Sequence, residues 1–188
     1  MVASGWLTRK AEKGNLAGDW LEVGVTGKEQ LNLRLSNIIS DKTILLGIKA
    51  QSKSEALQEM VSFLEKNKLI NRADEVIEKL EQRESLGTTA LGEGVAIPHC
   101  KVKWVTNPIV LVGIARQGVP FGAPDGHLVN IFFLLITSLE DPTLNLQILA
   151  MIAQLIKKSP ELKEKLLQAK SPAEVREIIK RQEEKQSE

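Results

Sequence analysis

The chain has 188 residues, a formal net charge of +1, 43% hydrophobic and 26% charged residues, and one cysteine. That balance offers no electrostatic case for nucleic acid or an anionic membrane surface, and one cysteine excludes an intramolecular disulfide and a thiolate-cluster metal site. The longest apolar run, Ile131–Ile136, is too short to cross a bilayer, and MVASGWLTRKAEKG lacks the continuous apolar segment of a secretory signal, so the expectation is a cytoplasmic protein without membrane insertion.

Residues 1–30 are rich in glycine, carry Trp6 and Trp20, and show no sustained period, which reads as a loose N-terminal extension. From Leu31 the patterns sharpen. TILLGIK (43–49) predicts a short buried strand. Ser52 and Glu55 then have capping-box spacing, and Ala56, Leu57, Met60, Val61 and Leu64 form one apolar helical face. A second helix is expected over 72–85, with Val76, Ile77 and Leu80 turned inward. After the loop SLGTTALGEG comes a brief strand, Val95–Ile97, ended by Pro98.

PIVLVGIAR (108–116) and LVNIFFLLITS (128–138) predict strands too apolar to expose either face fully, joined through a Pro-Asp-Gly turn. The last third is helical. Asp141-Pro142, Ser159-Pro160 and Ser171-Pro172 each place a capping side chain before a proline, and Ser171 and Glu174 repeat the capping-box spacing. The final RQEEKQSE reads as a solvated charged tail. The expected fold is α/β: one domain over 31–182 with a mixed sheet flanked by helices and a C-terminal helical segment, then a charged tail at 183–188.

His99 is one of two histidines and should sit just beyond a strand end, behind a loop in which Gly92 and Gly94 allow close backbone approach. Its ring has three conceivable jobs: metal ligand, general base or nucleophile. Metal binding lacks partner ligands at a suitable spacing, and no triad order surrounds Thr88, Thr89 and Cys100. A nucleophilic imidazole needs a neutral ring near pH 7 and anion-stabilising donors. From spacing alone, that role stands beside an inert turn histidine satisfied by a backbone carbonyl.

The segment RESLGTTALGEGVAIPHCK (83–101) resembles the active-site segment of the enzyme IIA domains of the bacterial phosphoenolpyruvate-dependent phosphotransferase system, in the fructose, mannitol and nitrogen-regulatory branch. SKSEAL (52–57), GVPFGAPDG (118–126) and SPAEVREII extend the likeness over roughly Leu31 to Lys180. The resemblance implies that His99 accepts a phosphoryl group from an HPr-type carrier protein and passes it to a protein acceptor, commonly a cysteine of an enzyme IIB domain. No cofactor or metal is implied. The alternative it carries is a regulatory module whose partner affinity is switched by phosphorylation of His99.

The same resemblance suggests supporting residues. Thr88 and Thr89 would donate to phosphoryl oxygens or else stabilise the loop. Arg83 would offer a charge-assisted contact or else lie on an exposed helix face. Asn145 stands where the family often has a second histidine; its amide can donate but cannot titrate. Cys100 is expected to be a small neighbouring side chain, and His127 a surface or strand-edge histidine.

Overall fold

The computed structural model describes residues 33–186. The expected N-terminal extension, with Trp6 and Trp20, lies outside the described residues. Helix α1 (Leu35–Ile38) and a 3-10 turn (Asp41–Thr43) lead into β1 (Ile44–Leu46), α2 (Lys53–Lys66) and α3 (Ala73–Ser85). Strands β2 (Ala90–Gly92), β3 (Val95–Ala96), β4 (His99–Val102), β5 (Ile109–Val119) and β6 (Val129–Ser138) follow, and α4 (Pro142–Lys158), α5 (Leu162–Gln168) and α6 (Pro172–Lys185) close the chain.

The sheet is mixed, as expected, with strands in the order β1-β5-β6-β3-β2 and β4 also paired to β6. β5 and β6 form its antiparallel centre, whereas β1 lies parallel to β5, and β3 and β4 lie parallel to β6. Alternation sorts the side chains into two cores. Phe132, Leu134 and Ile136 pack with Leu57, Met60, Val61 and Leu80 beneath α2 and α3. Ile131, Phe133 and Leu135 pack on the other side with Ile148, Ile152, Val175 and Ile179 from α4 and α6. Both faces are covered, which is why these strands read as nearly continuous apolar runs.

The helix starts are built as the spacing predicts, with one shift. The Ser52 hydroxyl accepts the Glu55 N–H at 3.2 Å, and that of Ser171 accepts the Glu174 N–H at 3.2 Å. The two glutamates, however, reach one residue further back, to the N–H groups of Gln51 (2.8 Å) and Lys170 (2.7 Å). Each start therefore satisfies two otherwise orphaned donors, a capping contribution of about 1 kcal/mol.

Three expectations are corrected. The strand predicted over 43–49 is paired only at Ile44–Leu46, because the N–H groups of Gly47 and Ile48 both converge on the Ile114 carbonyl and the ladder stops. Ser159 is not a helix N-cap: it ends α4, is buried, and accepts the Gln186 side-chain amide at 3.1 Å, leaving α5 to begin at Leu162. Residues 181–186 are not a solvated tail: α6 runs through Lys185, buries Gln182, and turns the Glu183 carboxylate onto the N–H groups of Leu35 and Ser36 at the start of α1.

Candidate functional site

The Pro-His step breaks one strand into two. Val95 pairs with Ile131 and His99 with Leu135, so β3 and β4 keep the same register along the same edge of β6. Between them Ile97 turns its N–H to the Thr89 carbonyl, and Pro98, having no N–H to offer, keeps only its carbonyl in the sheet, accepting from Leu135 at 2.9 Å. His99 is thus the first residue after the interruption, lying beyond β3 as expected but also opening a strand of its own.

The His99 ring is half-buried and held at both nitrogens. Nδ1 lies 2.8 Å from the Ile97 carbonyl, and the Arg83 Nε donates to Nε2 at 3.1 Å. A carbonyl oxygen can only accept, so in the neutral ring Nδ1 carries the proton and Nε2 keeps its lone pair. Burial pulls the His99 pKa below its ordinary value; the Ile97 carbonyl and the Glu84 charge oppose this, and Arg83 and Lys101 add to it. The lowered pKa favours the neutral ring at pH 7, with the Nε2 lone pair facing a guanidinium.

Arg83 comes from the last turn of α3, and its Nη1 also donates to the Gly87 carbonyl at 3.0 Å. It faces the ring rather than solvent alone. Both threonine hydroxyls are engaged by the scaffold. Thr88 Oγ1 donates to the Phe121 carbonyl at 3.3 Å and accepts the Ala90 N–H at 3.2 Å, while the Thr89 hydroxyl donates to Glu84. Neither touches His99, and a phosphoryl contact from either hydroxyl requires it to rotate.

Asn145 sits in the first turn of α4 and is buried, its Oδ1 accepting from Thr137 Oγ1 at 2.9 Å. Thr137 lies two residues beyond Leu135, the register partner of His99, so both belong to the sheet face that His99 adjoins. The Thr137 contact orients the amide; Asn145 makes no hydrogen bond to His99 itself.

Cys100 alternates to the other face, beneath α2 and α3, where burial pushes its thiol up to about 12. It is a packed neighbour, as expected. His127 is exposed and lies 3.3 Å from Asp125. Asp125 has the more telling role: it accepts the Glu93 N–H at 2.6 Å and so ties the Pro-Asp-Gly loop to the Gly-Glu-Gly turn ahead of β3. A Cβ on Gly92, where φ is +94°, would lie 3.0 Å from the Asp125 carboxylate, so close approach and backbone conformation both require glycine.

Two residues to which the sequence assigns no role lie within its motifs. Glu84 is a buried carboxylate that accepts from the Thr89 N–H and hydroxyl and from Lys53 Nζ at 2.9 Å. Lys53, at the start of α2, also lies 5.0 Å from the centroid of the Phe121 ring. Their positions in SKSEAL and in the Arg-Glu pair were the available signal. Nothing in the spacing says that these segments meet.

Comparison with known families decides the identity. The family described as "Phosphoenolpyruvate-dependent sugar phosphotransferase system, EIIA 2" matches residues 37–182. The chain belongs to this EIIA 2 family. Among EIIA 2 relatives, a nitrogen regulatory protein of Bradyrhizobium diazoefficiens is 36% identical over 124 residues, covering 65% of this chain and 80% of that protein. The fructose-specific EIIABC component of Bacillus subtilis is 29% identical over 147 residues; these span 78% of this chain but only 23% of that larger protein. The crystal structure of IIA-Ntr from Neisseria meningitidis superposes with a TM-score of 0.66 at 31% identity, covering 77% of this chain and 97% of that one. The EIIA 2 resemblance and the α/β fold are thereby established. Among the described residues no helix is long and apolar enough to cross a membrane.

Proposed function

We propose that this EIIA 2 chain is a protein-histidine phosphocarrier: His99 Nε2 takes a phosphoryl group from an HPr-type donor and yields it to a protein acceptor, the cysteine of an enzyme IIB domain. The observation that carries this reading is the pair of contacts on the ring, Nδ1 to the Ile97 carbonyl and Nε2 to Arg83. In the first transfer the donor's N–P bond breaks as the Nε2–P bond forms, and the proton on Nδ1 stays in place. In the second the Nε2–P bond breaks as an S–P bond forms, and the ring returns to its starting state.

Such transfers depend on positioning and on neutralising spread negative charge. Arg83 supplies the charge once it slides from the ring nitrogen to a phosphoryl oxygen, a bidentate exchange that a guanidinium makes easily. Leu86, 85% exposed, and Leu91, 53% exposed, flank the Thr-Thr loop, giving a protein partner apolar area on the segment that leads to His99. The nitrogen regulatory relatives support a second reading, in which phosphorylation of His99 alters affinity for a regulatory target.

The test is incubation with phosphoenolpyruvate, enzyme I and an HPr-type carrier. Acid-labile, base-stable label is expected, and phosphorus-coupled NMR of the ring should place it on Nε2. Absence of label, or label on another residue, overturns the carrier reading. Transfer onward to an enzyme IIB cysteine favours the carrier; retention of label with altered partner binding favours the regulator.

A neutral amide in place of a second histidine should leave its mark on turnover. Asn145→His introduces a titratable group at the start of α4, where the dipole favours an anion. Phosphohistidine turnover is expected to change several-fold and to acquire a pH dependence in the imidazole range. Unchanged kinetics would remove Asn145 from the site.

A further inference from the structure

Glu84 is the least expected group near His99. A carboxylate next to a ring that must receive a phosphoryl group is electrostatically adverse, and this one is only 7% exposed. Its oxygens are fully used. Oε2 takes Lys53 Nζ at 2.9 Å, and the two oxygens share the Thr89 N–H at 3.2 and 3.3 Å, with the Thr89 hydroxyl closing on Oε1. One side chain therefore joins the start of α2, the end of α3 and the loop that returns to β2. Its chain neighbour is Arg83, the residue that reaches His99. The loop is pinned a second time through Thr88 to the Phe121 carbonyl, and Lys53 lies against the Phe121 ring.

We propose that Glu84 is a positioning residue for phosphoryl transfer: clamped by Lys53 and Thr89, it fixes the end of α3 so that the Arg83 guanidinium is aimed at His99 Nε2. The inference rests on the phosphocarrier reading of His99. Glu84 touches neither the ring nor an incoming phosphoryl group. Its charge is matched by Lys53, so the site keeps a rigid anchor without presenting a bare anion to the substrate. An apolar anchor would not serve as well, because the Thr89 N–H needs a buried acceptor.

The charged groups facing His99 are Arg83 and Glu84 from α3 and Lys101 from β4; Glu84 raises the ring's pKa and the other two lower it. Glu84→Gln keeps an acceptor for Thr89 while removing the charge and releasing Lys53. The Glu84 charge raises the His99 midpoint, and the Arg83 charge, the larger of the two, lowers it. Glu84→Gln therefore lowers the midpoint if Arg83 stays in place and fails to lower it if Arg83 leaves the ring. Rates are compared at pH 8, where the ring is neutral in either case.

The experiment uses the full chain, with two readouts. Histidine NMR titration of the unphosphorylated protein follows His99, with far-UV circular dichroism as the control for folding. Initial labelling rates from the phosphorylated HPr-type carrier are measured against carrier concentration. Glu84→Gln is expected to leave the His99 midpoint unlowered and to slow labelling by about tenfold to a hundredfold with half-saturation unchanged, the scale of a misplaced guanidinium. Glu78→Gln, which removes an exposed charge from the same helix, should match wild type in both readouts. A His99 midpoint that falls, a rate at the wild-type level, or a loss expressed wholly in half-saturation overturns the proposal. Failure of the carrier reading is separable, since it would show as absent label on the wild-type protein, with the titration still judging Glu84.

Discussion

His99→Gln is expected to reduce phosphoryl labelling to background, the largest functional effect any single substitution here should have. The glutamine amide nitrogen has no available lone pair, so the nucleophile is lost while the volume near the end of β3 is roughly kept. Neither neighbouring thiol nor distant imidazole can substitute. Cys100 is buried with its thiol pushed up to about 12, leaving no thiolate at neutral pH, and His127 is exposed beside Asp125. Cys100→Ser and His127→Asn should therefore label as wild type does. His99 is half-buried at a strand start, so the variant should unfold within about 1 kcal/mol of wild type. Labelling that survives His99→Gln would remove the ring from the chemistry.

The largest expected loss of stability is that of Phe121→Ala. Phe121 follows Pro120 in the loop after β5 and is fully buried, its ring meeting that of Phe132 edge-on at 5.2 Å and 68°. The Lys53 ammonium lies 5.0 Å from its ring centroid, and its carbonyl holds Thr88. Truncation leaves a cavity between the sheet and the start of α2 and removes both an aromatic pair and a cation–π contact. The expected cost is about 3–5 kcal/mol. A total stability of roughly 5–15 kcal/mol would be cut sharply. Urea unfolding followed by far-UV circular dichroism measures it as a lower midpoint at unchanged slope. A loss under about 1 kcal/mol would mean that the loop collapses into the space and that Phe121 is no keystone. Phe121→Leu should recover most of the packing but not the contact with Lys53, separating the two contributions.

These expectations share a pattern. The residue proposed to carry the phosphoryl group stands out in the chain, while the residues around it are placed only by the fold. Pro-His after a Gly-Glu-Gly turn is local information, because proline must interrupt a ladder and glycine must carry the backbone where other residues strain. The motif marks Arg83, but its direction is set only by the end of α3 meeting His99 at the start of β4. Thr88 and Thr89 show the opposite case. Their side chains suit phosphoryl donors, yet their hydroxyls bond to the Phe121 carbonyl and to Glu84.

What the sequence determined by itself was whatever depends on near neighbours along the chain: the helix starts at Ser52, Asp141 and Ser171, the apolar strands on either side of the Pro-Asp-Gly turn, and the Pro-His break. These follow from short-range hydrogen bonding and from residue periods of two and 3.6. Tertiary structure decided the rest. It made Ser159 a buried helix end, carried α6 past Arg181, set β3 and β4 in one register along β6, and brought Lys53, Glu84 and Thr89 together behind the Arg83–His99 pair. The reason is physical. A buried charge is tolerated only where a partner from elsewhere in the chain neutralises it, and no local pattern records which partner that is.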